Sequence, residues 1–124
     1  MTEARPFRRG DIVLVVSPFI TDPSIRKTRP AVIVQNDVGN RFSPNLIVAA
    51  ISTQIPTRRY PTNRVVRHGS REWEGTGLDR DSAVQTENIL TIPKATVIQR
   101  LGRFSEGTMG DIDACLRVSL GLGR

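Results

Sequence analysis

At 124 residues, with 38% apolar and 24% charged side chains, the chain has the size and balance of one soluble domain. No apolar run approaches the length of a membrane-spanning helix, and the first nine residues lack the apolar stretch of a signal peptide, so a cytoplasmic protein with no membrane role is expected. The formal charge of +6 comes almost wholly from arginine, since Lys27 and Lys94 are the only lysines, and an arginine fork favours a nucleic acid or an acidic protein as partner.

Residues 1–8 read as a polar lead-in, and residues 9–124 as a single domain. Residues 12–16 are five apolar residues without alternation, which predicts a strand covered on both faces. A long connection follows over 17–28; its Phe19 either folds onto the core or offers a ring to a stacked base. Residues 31–34 and 46–51 are short, β-branched and bounded by turn formers, and read as buried strands. Between them, residues 36–45 read as a structured loop rich in Asn, Asp, Gly and Pro.

The chain then turns polar over 54–63, with Arg58-Arg59 and two prolines. Residues 64–67 predict a short strand, and glycines at 69, 75 and 77 break the chain around Trp73. Residues 82–84 and 89–92 read as two further short strands, with a turn or a bulge at 86–88; Pro93 stops the second. Residues 95–101 fit neither period. Thr108 with Asp111 matches a capping box, and Met109, Ile112, Cys115, Leu116, Ser119 and Leu120 recur at helical spacing, so a closing helix is expected, ended by Gly121 and Gly123. The lone Cys115 forms no internal disulfide, fits a reducing compartment, and reads as a small residue on that helix.

One juxtaposition stands out chemically. If strands 31–34 and 46–51 pair antiparallel, Arg29 comes to lie beside the hydroxyl of Ser52 or Thr53, and a fixed cation beside a hydroxyl suits a phosphate. One His and one Cys give no zinc spacing, and the closest acidic residues, Asp79, Asp81 and Glu87, read as solvated; no metal or cofactor is expected.

Arg9-Gly10-Asp11, then Arg29-Pro30-Ala31-Val32-Ile33-Val34-Gln35-Asn36-Asp37, Gly39-Asn40-Arg41-Phe42-Ser43-Pro44 and Ile47-Val48-Ala49-Ala50-Ile51-Ser52 together resemble the MazF/PemK family. Asp81-Ser82-Ala83-Val84 and Ile89-Leu90-Thr91-Ile92 extend the resemblance over roughly residues 8 to 122, and the order of the pieces makes it specific. It implies a toxin of a toxin–antitoxin pair: a metal-independent, sequence-specific endoribonuclease that cuts single-stranded RNA through the substrate's 2′-hydroxyl. It further implies a mainly β fold with a C-terminal helix in a small SH3-like barrel of the PemK/CcdB kind, a two-fold homodimer, and an acidic antitoxin protein as partner. Where the family usually has a short helical turn, this chain has Thr96-Val97 within 95–101.

By this resemblance Arg29 stabilises charge on the phosphate. The family's threonine is replaced by Ser52, which keeps the hydroxyl and loses the methyl that restricts χ1. Thr53 is expected on the opposite face of the strand. Base recognition falls to the loops bordering Arg29, with Phe19, Lys27, Gln35, Asn36, Arg58 and Arg59 as candidates; Gln35 and Asn36 serve equally well to tie down their own turn. His68 and Glu87 are the candidate proton carriers, and neither is assigned. Two alternatives stand beside the enzyme: a non-catalytic, basic SH3-like RNA-binding barrel, and a CcdB-type gyrase poison. The second needs a C-terminal aromatic segment, whereas this chain ends Gly121-Leu122-Gly123-Arg124.

Overall fold

The computed structural model describes residues 5–16 and 27–123. Phe19 lies outside the described residues. Six strands form one antiparallel sheet: β1 (Asp11–Val16), β2 (Thr28–Ile33), β3 (Asn45–Ser52), β4 (Asn63–Val66), β5 (Ser82–Pro93) and β6 (Val97–Arg103). Their order across the sheet is β4-β5-β3-β2-β1-β6. Two helices accompany them, α1 (Asp37–Phe42) and α2 (Glu106–Ser119).

β1, the end of β2 and β3 are continuous apolar runs because both faces of the sheet are buried there. On one face Ile12, Val32, Ala49, Ile51, Val66 and Val84 pack with Phe104 and with Met109 and Ile112 of α2. On the other, Val13, Val15, Ala31, Ile33, Leu46, Val48 and Ile92 form a second cluster, joined by Phe7. Phe7 thus anchors the end of the polar lead-in, with Arg100 holding its ring from 4.2 Å and donating to the carbonyls of Arg5 and Pro6.

The sheet is not closed, which corrects the expected SH3-like barrel. β4 and β6 stand at opposite ends of the strand order and do not pair with each other. Glycine chemistry explains why no closing ladder forms at β6. The turn at Gly75-Thr76-Gly77 lies against β6, where the Arg103 N–H donates to the Gly75 carbonyl at 2.9 Å. A Cβ on Gly102 would stand 2.3 Å from that carbonyl oxygen. The turn occupies the place a partner strand would take. β4, only four residues long, is flanked by α2, to which Arg64 is tied through Asp111 at 3.1 Å.

Three local readings change. Residues 37–42, expected as loop, form α1, because the Asn36 side chain caps the turn by accepting from the Gly39 N–H at 2.7 Å. The two short strands expected at 82–84 and 89–92 are one strand, β5, with the 86–88 irregularity inside it: Ala49 pairs with Ile89 but Ala50 pairs with Gln85. The cap of α2 is Ser105, whose hydroxyl accepts from the Thr108 N–H at 3.2 Å, one turn before the expected Thr108 box; Thr108 itself is buried. Residues 97–103 form β6, preceded by a 3₁₀ turn over Lys94–Thr96.

Candidate functional site

β2 and β3 pair antiparallel with Ala31 opposite Ala50, so two further residues of that register set Arg29 opposite Ser52. Ala31 and Ile33, like Val48, belong to the second cluster, and the two-residue strand period places Arg29 and Ser52 on that same side. They line one cavity of about 580 Å³ at the end of the sheet. Thr53 and Gln54 line it too. Ile51, Leu78 and Leu101 of the first cluster's side line it as well, so the cavity wraps the sheet end, and Thr53 reaches it in step with Ile51 rather than in place of Ser52.

The Arg29 side chain is exposed, and its Nη1 donates to the Thr28 carbonyl at 3.2 Å. Among the described residues no carboxylate forms an ion pair with it, and it lines the cavity. The Ser52 Oγ accepts from the Gln54 N–H at 3.0 Å, which turns the chain at the strand end. A hydroxyl used once as acceptor keeps its own proton to donate, and that proton is what a phosphate oxygen needs.

Two lining residues were not singled out for this site from the sequence: Asp79 and Arg80. Arg80 pairs loosely with Asp79 at 3.7 Å, both side chains largely solvated. The signal was the start of β5. Ser52 pairs with Ala83, so whatever immediately precedes Ser82 must lie at the Ser52 end of the sheet. A second cation therefore faces the cavity that holds Arg29.

The other candidates are dispersed. Lys27 is exposed beside Thr28 at the same sheet end but does not line the cavity. Arg58 and Arg59 are exposed on the 53–62 loop, and Arg59 lines a different cavity of about 570 Å³ between β4 and α2, with Arg64, Arg67 and Asp111. Gln35 and Asn36 follow the far end of β2, roughly 20 Å from Arg29 at strand rise. There Gln35 Nε2 donates to Asn40 Oδ1 and to the Asn45 carbonyl, both at 3.0 Å, and Asn36 caps α1. Both side chains tie down their own turn. Neither expected proton carrier lines the cavity: Glu87 accepts from Asn63 Nδ2 at 2.8 Å, and His68 packs on Trp73.

Asp81, one residue past Arg80, is held below the usual carboxylate range by the backbone N–H of His68 and by Arg67. Among the described residues no group of three or more His, Cys, Asp or Glu is placed to hold a metal ion.

The family model for the PemK-like, MazF-like toxin of type II toxin–antitoxin systems matches residues 8–120. The chain belongs to the PemK/MazF toxin family. Among solved structures it is similar to an endoribonuclease in complex with its cognate antitoxin from a mycobacterial species, at 25% identity and TM-score 0.73, over 94% of this chain and 97% of that one. It is similar in fold to the Mycobacterium tuberculosis toxin MazF-mt6, at 21% identity and TM-score 0.73, over 92% and 99% of the two chains. A MazE–MazF structure from Deinococcus radiodurans shares the fold at 12% identity and TM-score 0.73, over 97% and 100%. None of these matches supports the non-catalytic RNA-binding barrel or the gyrase poison. The PemK/MazF assignment covers the residues that build the cavity, from Leu14 to Leu101.

Proposed function

We propose that this PemK/MazF toxin cuts single-stranded RNA in the Arg29–Ser52 cavity, using the 2′-hydroxyl of the substrate as nucleophile and no metal ion. The family assignment carries the class of reaction: the chain is a toxin-type, sequence-specific endoribonuclease of single-stranded RNA. The observation that carries the site is the meeting of Arg29 and Ser52 across β2 and β3 in one open cavity.

The 2′-oxygen attacks phosphorus, the bond from phosphorus to the 5′-oxygen breaks, and the products carry a 2′,3′-cyclic phosphate and a 5′-hydroxyl. The 2′-hydroxyl proton passes to the Asp79 carboxylate on the cavity wall, and the departing 5′-oxygen takes a proton from water. Charge develops on the non-bridging oxygens, and Arg29 offers a rigid fork to it. Ser52 donates a hydrogen bond to the same group, and Arg80 adds a second positive charge.

The supporting test is cleavage of single-stranded RNA in EDTA, with the product ends identified chemically. Cleavage lost in EDTA and restored by magnesium contradicts the reading.

The same reading includes an acidic antitoxin, a two-fold homodimer and action in the cytoplasm. The matched complexes pair toxins with antitoxins, and the exposed arginines at 58, 59, 67 and 71 offer such a partner an attractive surface. Ile98 on the edge strand β6 and Val118, Leu120 and Leu122 around the end of α2 are each more than half exposed, apolar surface of the kind a second copy covers.

A further inference from the structure

The cavity accounts for a phosphate, and among the described residues that line it there is no ring on which a base can stack. An aromatic pair stands next to it. The His68 and Trp73 ring centroids lie 4.3 Å apart with planes tilted by 49°. Trp73 is rigid: its indole N–H donates to the Leu78 carbonyl at 2.6 Å, and its body packs against the first core cluster. His68 sits on it exposed, with its backbone N–H held by Asp81 Oδ1 at 2.7 Å. Beside it, Gly69 has φ +83°, and a Cβ there would meet nothing within 4 Å, so the turn next to His68 faces open space.

Both anchors belong to the segment that walls the cavity. Leu78 lines it directly, and Asp81 follows Arg80. The sheet sets the same relation. Val66 pairs with Ser82 at the end of β4, and Ser52 pairs with Ala83 at the end of β3, so the turn carrying His68 leaves the sheet at the Ser52 end, two strands over. At strand spacing that is roughly 10 Å. Exposed Arg71 lies near the ring and offers charge to the backbone of a passing strand, while Arg67, before the ring, is paired with Asp81 at 3.1 Å.

We propose that His68, seated on Trp73, is a stacking subsite for a nucleobase flanking the scissile phosphate of the RNA. The proposal rests on the RNA-cleaving reading of the cavity and adds to it a π surface that holds a splayed base. A stacked ring is sequence-tolerant by itself, because every base has a π face, so this subsite anchors and orients the strand.

Trp73 is the only tryptophan, so its emission reports the subsite. The experiment uses the full chain carrying Arg29→Ala and a single-stranded RNA that the unaltered protein cuts at a mapped position. The RNA is expected to quench Trp73. An abasic nucleotide scanned along it should remove the quenching at one position flanking the cut and weaken binding there roughly tenfold, which is the scale of one base–aromatic contact. His68→Ala in the same background should cost a similar factor, and the abasic RNA should then cost nothing more. His68→Phe should restore binding, because stacking needs the ring and not the imidazole nitrogens. The subsite is overturned if His68→Ala binds intact and abasic RNA with unchanged affinity and quenching, or if Phe fails to rescue a loss. Cleavage by the unaltered protein alongside either result rejects the subsite alone. RNA binding without any cleavage by the unaltered protein rejects the reading of the cavity instead.

Discussion

Arg29 pairs with no carboxylate among the described residues, and the Ser52 Oγ accepts from the Gln54 N–H with its own proton left to donate; these two facts fix what each substitution should do. Arg29→Ala should lower the single-turnover cleavage rate by roughly 10²–10³, the scale of one lost donor on transition-state charge, while RNA binding stays measurable. Arg29→Lys should also cut poorly, since a point charge does not replace a planar fork. Ser52→Ala should slow cleavage and Ser52→Thr should match or exceed the native rate, because threonine keeps the donor and restricts χ1. An Arg29→Ala protein that cuts at the native rate with an intact fold places the reaction elsewhere. Two carboxylates give a separate, pH-linked expectation. Asp81 is held below its ordinary value of 3.8 chiefly by the His68 N–H, and Asp37 chiefly by the Arg9 N–H. A carboxylate with a depressed folded value stabilises the fold above its unfolded value, and that stability is lost as pH falls through the folded one. The melting temperature should therefore hold from neutral pH down to the ordinary carboxylate range and fall below it. In Asp81→Asn the melting temperature should start lower and fall less steeply with acid; an unchanged acid slope contradicts the assignment.

At the scale of elements, one wall of the cavity depends on backbone packing that only glycine permits. Gly77 has φ +72°, and a Cβ there would stand 2.1 Å from the Leu101 carbonyl oxygen. Leu78 and Leu101 on either side of this contact both line the cavity. Gly77→Ala should cost about 1–3 kcal/mol, the usual range for overpacking, and should raise KM as the wall shifts. Thermal melts and steady-state kinetics check the two effects together; a variant with native stability removes the turn from its wall role. The central strands were legible because their apolar runs are long for strands and flanked by turn formers. The pairing of Arg29 with Ser52 was legible once an antiparallel neighbourhood was assumed. What escaped depends on contacts distant in sequence. Asp79 and Arg80 reach the cavity only through the pairing of β5 with β3. α1 escaped because its Asn, Asp and Gly suit turns as well as caps, and the Asn36 cap alone decides between them. Ser105 displaced the expected Thr108 cap because Thr108 is buried among the first residues of α2.

For the whole molecule, the open sheet leaves two edges, a short β4 beside α2 and β6 with the Gly75 turn against it, together with exposed apolar side chains at Ile98, Val118, Leu120 and Leu122. Sedimentation should give a dimer at micromolar concentration; a monomer there contradicts the dimer. The arginines also divide. Arg64 is committed to Asp111 and Glu72, whereas Arg58, Arg59 and Arg71 are exposed, so an acidic antitoxin segment should meet its charge partners on the second set. Its binding should weaken with salt and compete with RNA on the Arg29→Ala protein. The central claim, that the cavity at the sheet end cuts RNA through the 2′-hydroxyl, is tested most directly by one measurement. In EDTA, the unaltered protein is given a single-stranded RNA and the same RNA carrying a 2′-O-methyl group at the scissile position. The first should be cut to a 2′,3′-cyclic phosphate and a 5′-hydroxyl, and the second should stay intact. Cleavage of the blocked strand at the same position contradicts it.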